Sequence, residues 1–144
     1  MSERKADARW TGDLKGGEGT LTLGSGAYEG KYTFRSRFED GEGGTNPEEL
    51  IAAAHAGCFS MQVANELDQA GHTVDSVETT AAVTLRQVDG LPTITTIHLS
   101  SRVTAPGLDD EQFQRVAEEA RENCIISRAL AGPEITLDAQ LASG

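Results

Sequence analysis

The feature that most constrains this chain is a segment that predicts one long, apolar helix. Asn46 and Pro47 supply a typical N-cap and first helical position, acidic residues follow in the first turn, and Gly71 marks the end. Residues 50–61 are rich in alanine and apolar on nearly every face. Such a helix is stable only where other elements pack all round it. We therefore predict a central buried helix over about residues 47–70.

The chain has few large side chains with which to cover this helix. It contains four Phe, two Tyr and one Trp among 144 residues. A chain of this length is normally one domain and buries about 68–70% of the surface that its unfolded form exposes. We expect a single domain over residues 1–144, with a second subunit helping to cover the helix.

Alternating apolar residues before the helix predict strands. Residues 8–38 show this period of two and contain two glycine-rich turns, which is typical of a three-stranded meander. The third strand is expected to run as far as Phe38. Its aromatic side chains would then share one face and place Arg35 and Arg37 on the other.

The segments after the helix predict a hairpin, a second helix and a last strand. Asp89 and Gly90 are typical of a hairpin turn, and a change of phase after Ile94 predicts a bulge in the returning strand. Asp109 is a typical N-cap, and Cys124 falls on the buried face near the end of the helix that follows. The order βββ-α-ββ-α-β, with hairpin connections, predicts an α+β fold with mainly antiparallel sheets around the central helix.

The charge of the chain argues against two classes of partner. Lys and Arg number 12 against 23 Asp and Glu, which gives a net charge of −11. Nucleic acid and anionic membranes would be repelled, so we expect neither as a partner. The N-terminal residues lack an apolar core, and no run approaches 18 apolar residues. We expect a soluble, cytoplasmic protein.

The two cysteines, Cys58 and Cys124, are the candidate reactive groups. In a reducing compartment they are better interpreted as redox or metal groups than as a structural bridge. Composition alone favours a packing role for Cys58, since only ~3% of a thiol with a pKa of about 8.5 is ionised at pH 7. Lowering that pKa to about 7 takes ~2 kcal/mol, which one partly buried arginine could supply. Arg35 and Arg37 are the candidates, although the pattern alone favours solvated side chains for both.

Metal binding is a competing interpretation of the same residues. His55 and Cys58 are three residues apart and share a helix face, and Cys124 with another histidine could complete four ligands. The signal is weak because the chain has three histidines and no Cys-x-x-Cys. A histidine in this setting is more often a core residue.

The sequence around Cys58, GTNPEELIAAAHAGCFSM at residues 44–61, resembles the motif around the first cysteine of the OsmC/Ohr family of thiol peroxidases, nearer its OsmC branch. The resemblance spans essentially the whole chain and includes ARWTG at residues 8–12, SRFE at residues 36–39, Asn123 with Cys124, and ITLD at residues 135–138.

The resemblance implies a function and a set of site residues. It implies an intertwined homodimer that reduces organic hydroperoxides to alcohols without a metal or flavin. By position, Cys58 corresponds to the peroxidatic cysteine and Cys124 to the resolving one, with Arg37 and Glu48 as the activating pair. An external dithiol, in this family a dihydrolipoyl group or lipoylated protein, would reduce the resulting Cys58–Cys124 disulfide.

One departure from the family pattern lies next to Cys124. The family usually has proline after the second cysteine and serine two residues further on, whereas this chain has Ile125 and retains Ser127. We expect the second helix to continue past Cys124 for this reason. Ile51, Phe59 and Met61 are expected to favour bulky organic substrates over hydrogen peroxide.

Helix geometry predicts that the site is shared between subunits. Ten residues separate Glu48 from Cys58, which is about 15 Å along a straight helix, so a helix cannot bring its own Glu48 to its own thiol. If Arg37 and Glu48 serve Cys58 as the resemblance implies, they most simply come from the partner subunit, whose helix would run antiparallel across a twofold axis. The alternative function is a non-catalytic protein that binds a lipid-like ligand on the same scaffold.

Overall fold

The computed structural model describes residues 2–40 and 43–142, which fall into two compact units that meet in sequence between Leu50 and Ile51. The described residues form six strands and four helices in the order β1 (Ala6–Thr11), β2 (Glu18–Leu23), β3 (Glu29–Thr33), α1 (Phe34–Phe38), α2 (Pro47–Gln69), β4 (Ser76–Val88), β5 (Leu91–Thr104), α3 (Asp110–Asn123), α4 (Ile125–Ala129) and β6 (Glu134–Ala142). No helix of this described part is long and apolar enough to cross a membrane.

The first unit contains the predicted meander. Strands β1, β2 and β3 pair antiparallel in sequence order, so the prediction of three successive hairpin-connected strands is confirmed. Gly19 pairs with Trp10 on one side and Tyr32 on the other. A Cβ atom at Gly19 would lie 2.4 Å from the Tyr32 ring, so only glycine lets the two aromatic rings approach to 5.4 Å across it.

The third strand is shorter than predicted, and the prediction of a strand to Phe38 is wrong. It ends at Thr33, and helix α1 begins at Phe34. Thr33 Oγ1 accepts a hydrogen bond from the Ser36 amide at 3.0 Å, and Ser36 Oγ accepts one from the Thr33 amide at 2.8 Å. This capping box gives the backbone local partners in place of a strand ladder. Arg37 therefore projects from a short helix.

The long helix α2 has the predicted boundaries to within one residue. Asn46 Oδ1 accepts from the Glu49 amide at 2.7 Å, and the chain leaves the helix at Gly71 with φ of +84°. Burial is confined to one stripe, formed by His55, Phe59, Val63 and Leu67. Residues on other faces remain exposed, namely Ala53, Ala54, Gly57 and Met61. The chain by itself therefore leaves part of this helix uncovered.

The second unit contains the sheet β4-β5-β6. Asp89 and Gly90 both have positive φ, 50° and 78°, as the predicted hairpin turn requires. The register shifts where Leu85 pairs with Ile94 and Thr84 with Thr96, which confirms the predicted bulge.

The last strand is the parallel member of otherwise antiparallel sheets. Strand β6 pairs with β5 in parallel, with Glu134 opposite Thr96 and Ala142 opposite Thr104. Helices α3 and α4 lie between the two strands in sequence and carry the chain back to the start of β5. A parallel pair needs such a crossover, and the predicted order already placed a helix between these two strands. The other described strand pairs are antiparallel, as the prediction of mainly antiparallel sheets requires.

Helix α3 begins as predicted, with Asp109 Oδ1 accepting from the Gln112 amide at 2.9 Å. The expectation that it continues past Cys124 is wrong. Cys124 has φ −55° and ψ 124°, which ends α3, and a separate helix α4 starts at Ile125. The Cys124 amide still bonds to the Ala120 carbonyl, and the Cys124 carbonyl accepts from the Arg128 amide. The chain thus turns a corner here without proline.

One hydrophobic core joins these elements of the second unit. Helix α2 contributes Phe59, Val63 and Leu67, and the remaining members lie mainly on β5 and α3 and include Leu99, Val103, Phe113, Ala117, Ala120 and Cys124. Each buried Leu, Val or Phe side chain contributes about 1.5–3 kcal/mol. Whether residues 1–144 behave as the single predicted domain stays a prediction.

Candidate functional site

The two cysteines meet in the second unit. The Sγ atoms of Cys58 and Cys124 lie 2.9 Å apart although the residues are 66 positions apart in sequence, and both thiols are free. Cys124 is completely buried, whereas Cys58 is partly exposed. The structure therefore brings together the two sequence-predicted cysteines and leaves only Cys58 within reach of solvent.

Neighbouring buried residues determine where each thiol lies. Cys58 stands directly before Phe59 and three residues after His55, and both neighbours are fully buried on helix α2. Cys124 is the residue at which α3 ends and α4 begins. The corner in the chain therefore directs Cys124 toward helix α2.

The surroundings of Cys58 disfavour its ionised form. Burial raises the pKa of the Cys58 thiol, and its hydrogen bond and charge interaction with Cys124 raise it further. Backbone hydrogen bonds from Ile126 and Ile125 act in the opposite direction and are outweighed. Within its own unit, Cys58 is therefore a protonated thiol at neutral pH, and a cation is needed to activate it.

A second polar pair lies in the same region. His55 Nε2 and Ser127 Oγ are 2.7 Å apart, and both side chains are buried. Burial lowers the pKa of His55, and its Nδ1 atom has no hydrogen-bond partner among the described residues. Sequence reasoning treated His55 as a core residue or metal ligand and missed this pair. The one available signal was the equal spacing of three residues in His55–Cys58 and Cys124–Ser127.

The metal interpretation finds no further ligands in the described part of the chain. Within residues 2–40 and 43–142, no group of three or more His, Cys, Asp or Glu side chains is placed to hold a metal ion. His55 directs its Nε2 atom at a serine hydroxyl instead.

The other two predicted site residues, Arg37 and Glu48, form an ion pair in the first unit. Arg37 Nε lies 3.0 Å and 3.2 Å from the two Glu48 carboxylate oxygens, and the nearer of these also accepts from a terminal guanidinium nitrogen at 2.7 Å. The Glu48 side chain is 14% exposed and that of Arg37 is 42% exposed. The Arg37 guanidinium also lies 5.2 Å from the centre of the Phe38 ring. Glu48 therefore orients a guanidinium that water can still reach.

The second candidate arginine has a different setting. Arg35 Nε donates to Glu39 at 2.9 Å, and both side chains are about half exposed. This is an i,i+4 pair along the chain, of a kind that contributes little to stability.

An apolar cavity of about 220 Å³ lies beside Arg37 in the first unit. Its lining is largely aromatic and consists of Trp10, Leu14, Tyr32, Thr33, Phe34, Arg37 and Phe38. Sequence reasoning had assigned substrate contacts to Ile51, Phe59 and Met61. Phe59 is unavailable for that role because it is fully buried in the core of its own chain. Met61 is 76% exposed.

These features define a class of protein, the small α+β proteins that bring a cysteine on one helix into contact with a second cysteine at the junction of two others. The family model described as OsmC-like protein matches residues 39–138. The chain is also 48% identical over 141 residues to Peroxiredoxin OsmC of Escherichia coli (strain K12), with 97% of each protein covered. This protein belongs to the OsmC family.

Solved structures of relatives have the same fold. The organic hydroperoxide resistance protein OhrB of Bacillus subtilis matches with a TM-score of 0.69 at 26% identity, over 96% of this chain and 98% of that one. An OsmC-like protein of unknown function from Vibrio cholerae matches with a TM-score of 0.78 at 19% identity, over 96% and 99%. The second likeness concerns the fold alone.

Proposed function

We propose that this protein is a thiol peroxidase that reduces organic hydroperoxides to alcohols. The observation that carries the proposal is the 2.9 Å contact between one partly exposed thiol, Cys58, and one buried thiol, Cys124. The names of the relatives, peroxiredoxin and organic hydroperoxide resistance protein, support a peroxidase role for the family.

The exposure of the two sulfurs assigns the first step to Cys58. Its thiolate attacks the outer oxygen of the hydroperoxide, the O–O bond breaks, and the departing alkoxide takes up a proton to become the alcohol. Cys58 is left as a sulfenic acid. The Cys124 thiol then attacks the Cys58 sulfur, the S–O bond breaks, and water leaves with the thiol proton. Two electrons pass from the two thiols to the peroxide in total.

An external dithiol completes the cycle. Its thiolate attacks the Cys58–Cys124 disulfide, and its second thiol releases the mixed disulfide, so the dithiol is oxidised as the two cysteines are reduced. We propose a dihydrolipoyl group, free or carried by a protein, as this reductant. The partial exposure of Cys58 makes it the sulfur that the reductant attacks.

Activation of Cys58 requires a cation to offset its raised pKa. Arg37 fits this role because the Glu48 carboxylate orients its guanidinium while leaving 42% of the side chain exposed. The guanidinium would stabilise the thiolate and donate a hydrogen bond to a peroxide oxygen. Arg37 and Glu48 therefore act as a preoriented activating pair.

We assign the activating pair at each thiol to the partner subunit of a homodimer. Glu48 and Cys58 are ten residues apart on helix α2, about 15 Å along its axis, so the two cannot meet within one helix. The same helix exposes a stripe of small or apolar residues, Ala53, Gly57 and Met61, on its uncovered side. A second copy packed there across a twofold axis would cover the stripe and present its own Arg37.

The cavity beside Arg37 is suited to the alkyl part of the substrate. Its aromatic lining would remove methylene groups from water, which contributes about 0.8 kcal/mol for each. Hydrogen peroxide has no such group. We therefore expect bulky organic hydroperoxides to be preferred over hydrogen peroxide.

A peroxide consumption assay with an external dithiol tests the proposal. Cys58→Ser should abolish turnover, because no other described thiol is exposed. Cys124→Ser should still consume one equivalent of hydroperoxide and accumulate sulfenic acid, which stopped-flow fluorescence and mass spectrometry would detect. Equal loss of the single-turnover reaction in both variants would refute the assignment. Tight lipid binding without turnover by the wild type would instead favour a ligand-binding protein.

A further inference from the structure

Two side-chain contacts connect helix α2 to the corner between α3 and α4. The Cys58 and Cys124 sulfurs are 2.9 Å apart, and His55 Nε2 lies 2.7 Å from Ser127 Oγ. Each contact joins residues far apart in sequence, 66 and 72 positions respectively. The backbone N–H groups of Ile125 and Ile126 also hydrogen-bond to Cys58, so the corner contacts this turn of α2 through the backbone as well as through side chains.

The two contacts have matching spacing. Three residues separate His55 from Cys58 on α2, and three residues separate Cys124 from Ser127 at the corner. Residues three apart on a helix lie on the same face, one turn along the axis. The earlier residue on α2, His55, contacts the later residue of the corner, Ser127, and Cys58 contacts Cys124. Segment 124–127 therefore runs opposite to α2 and contacts it at both ends. The position of Ser127 therefore constrains the position of Cys124.

The His55–Ser127 contact is a strong constraint because both side chains are buried. His55 is fully buried and Ser127 is 7% exposed, so neither polar group can exchange its partner for water. Breaking the bond would leave a buried hydroxyl or imidazole nitrogen unsatisfied, which is unfavourable where water cannot replace the lost partner. His55 already has one unsatisfied nitrogen, Nδ1, so loss of its Nε2 partner would leave the ring with no hydrogen bond among the described residues.

Disulfide formation places a geometric demand on this corner. The Sγ–Sγ distance must shorten from 2.9 Å to about 2.05 Å, with a dihedral angle near ±90° about the new bond. Cys124 is not inside a regular helix, and its backbone angles belong to the break between α3 and α4. A residue at such a break needs an additional contact to hold its side chain in one place.

We propose that His55 and Ser127 are a positioning pair whose hydrogen bond holds segment 124–127 against helix α2 and so keeps Cys124 at the distance from Cys58 that disulfide formation requires. The pair does not exchange electrons and touches no substrate. It acts on the second step, in which the Cys124 thiol attacks the Cys58 sulfenic acid and water leaves. This inference rests on the proposed function for its rate test, and on the two thiols alone for its equilibrium test.

The rate test separates the two chemical steps. Each protein is mixed with one equivalent of an alkyl hydroperoxide, and sulfenic acid formation and its conversion to the disulfide are followed by stopped flow and by dimedone trapping. Ser127→Ala should slow the conversion at least about tenfold and change sulfenic acid formation less than about threefold. Ser127→Thr, which keeps the hydroxyl, should restore the wild-type ratio between the rate of sulfenic acid formation and the rate of its conversion to the disulfide. His55→Gln, which keeps a hydrogen-bonding atom, should give intermediate rates and keeps the test valid if Ser127→Ala does not fold.

Ser101→Ala is the matched control. Ser101 is 4% exposed and makes one hydroxyl contact, with Thr79 Oγ1 at 2.9 Å, away from the corner. Thr79 Oγ1 in turn accepts from Ser60 Oγ of α2 at 2.8 Å, so Ser101 contacts α2 indirectly, on a side other than the corner's His55–Ser127 contact. Its loss should lower the free energy of unfolding by an amount similar to that of Ser127→Ala and leave the conversion of sulfenic acid to disulfide unchanged. A merely structural role for Ser127 would make the two variants behave alike.

The equilibrium test needs no peroxide. The Cys58–Cys124 pair is equilibrated with mixtures of oxidised and reduced dithiothreitol, and the disulfide fraction is measured. Ser127→Ala should shift the equilibrium about tenfold toward the dithiol, whereas Ser101→Ala should not. An unchanged equilibrium together with unchanged conversion would overturn the positioning role. If wild-type protein forms no sulfenic acid with any hydroperoxide, the proposed function fails, while this equilibrium still decides the inference.

Discussion

Two regions of this molecule differ in charge and in exposure to solvent: the arginine region, formed by Arg37 and Glu48, and the thiol region, formed by Cys58 and Cys124. Arg37 and Glu48 are 11 residues apart, charged, and within reach of water. Cys58 and Cys124 are 66 residues apart, and they lie against a hydrophobic core. The first pair is made by a short local segment, and the second is made by the packing of three helices.

The two regions differ in how much of each is exposed to solvent. Removing a guanidinium from water carries a large desolvation cost, so the ion pair lies where solvent reaches it. In the proposed reaction, burial would serve Cys124, because a buried thiol is shielded from an oxidant in solvent and lies next to Cys58. The burial of Cys58 itself raises the pKa of its thiol. In the proposed reaction, the partner subunit of a homodimer would supply the arginine region to the thiol.

The sharpest way to break this comparison is to divide the two regions between chains. Cys58→Ser protein and Arg37→Ala/Glu48→Ala protein should each be inactive as homodimers. After subunit exchange of an equal mixture, half of the dimers carry one intact shared site out of two, so about 25% of wild-type activity should return. The measurement is peroxide consumption before and after exchange.

Complementation has a clear contrary outcome. A site contained within one chain predicts no recovery, provided that mass spectrometry shows heterodimers in the mixture. The control is a mixture of two Cys58→Ser preparations carried through the same exchange treatment, which should remain inactive.

The arginine region can be altered while both thiols are left unchanged. Arg37→Ala should lower the rate of sulfenic acid formation about 100-fold at pH 7, because a neighbouring cation shifts a thiol pKa by about 1–3 units. The loss should shrink as the pH rises, since hydroxide then ionises Cys58 without help. Arg35→Ala, which removes the other α1 arginine and its pair with Glu39, should cost less than about threefold. An Arg37→Ala deficit that stays constant up to pH 10 would contradict a role in thiol ionisation.

The cavity beside Arg37 offers a smaller and more selective change. Leu14→Ala should lower catalytic efficiency for a bulky hydroperoxide about fivefold, which corresponds to the loss of roughly one apolar contact of ~1 kcal/mol, and should leave hydrogen peroxide unaffected. Leu91→Ala is the matched control, because Leu91 is 67% exposed and Leu14 is 65% exposed. Equal effects on both substrates would show that the cavity does not bind the alkyl group of the substrate.

The smallest expected effect concerns acid stability in the thiol region. Burial lowers the pKa of His55 in the folded protein, so below its ordinary pKa of about 6.5 the unfolded state binds more protons than the folded state. The stability that neutral His55 contributes is thus present above that pH and is lost as the pH falls. His55→Leu should flatten the decline in free energy of unfolding between pH 7 and pH 5, measured by urea denaturation.

Much of the fold could be predicted because local signals and tertiary packing agree. Asn46, Asp109, Gly71 and the Asp89–Gly90 turn each place a boundary where the structure has one. The prediction failed at residues 34–38, where alternating aromatic side chains suggested a strand and the Thr33–Ser36 capping box makes a helix instead. The sequence alone does not show whether residues 34–38 gain more from inter-strand hydrogen bonds in a longer strand or from the capping hydrogen bonds of a short helix.

The candidate site was predictable only in part. The roles of Cys58 and Cys124 came from resemblance to a family, since nothing in their spacing of 66 residues predicts contact. The parallel pairing of β6 and the His55–Ser127 bond depend on how distant segments pack, which periodicity does not record. The absence of proline after Cys124 suggested a continuous helix, but backbone angles at one residue suffice to end it.

The matched spacing of the two contacts also limits how the length of this chain can vary. An insertion or deletion between Cys124 and Ser127, or between His55 and Cys58, would move one contact out of register with the other and could not be absorbed by a loop. The exposed stretch at residues 131–132, between α4 and β6, has no such restriction. Length changes should therefore be tolerated just beyond the corner and excluded within it, although both positions lie within eight residues of the same sulfur.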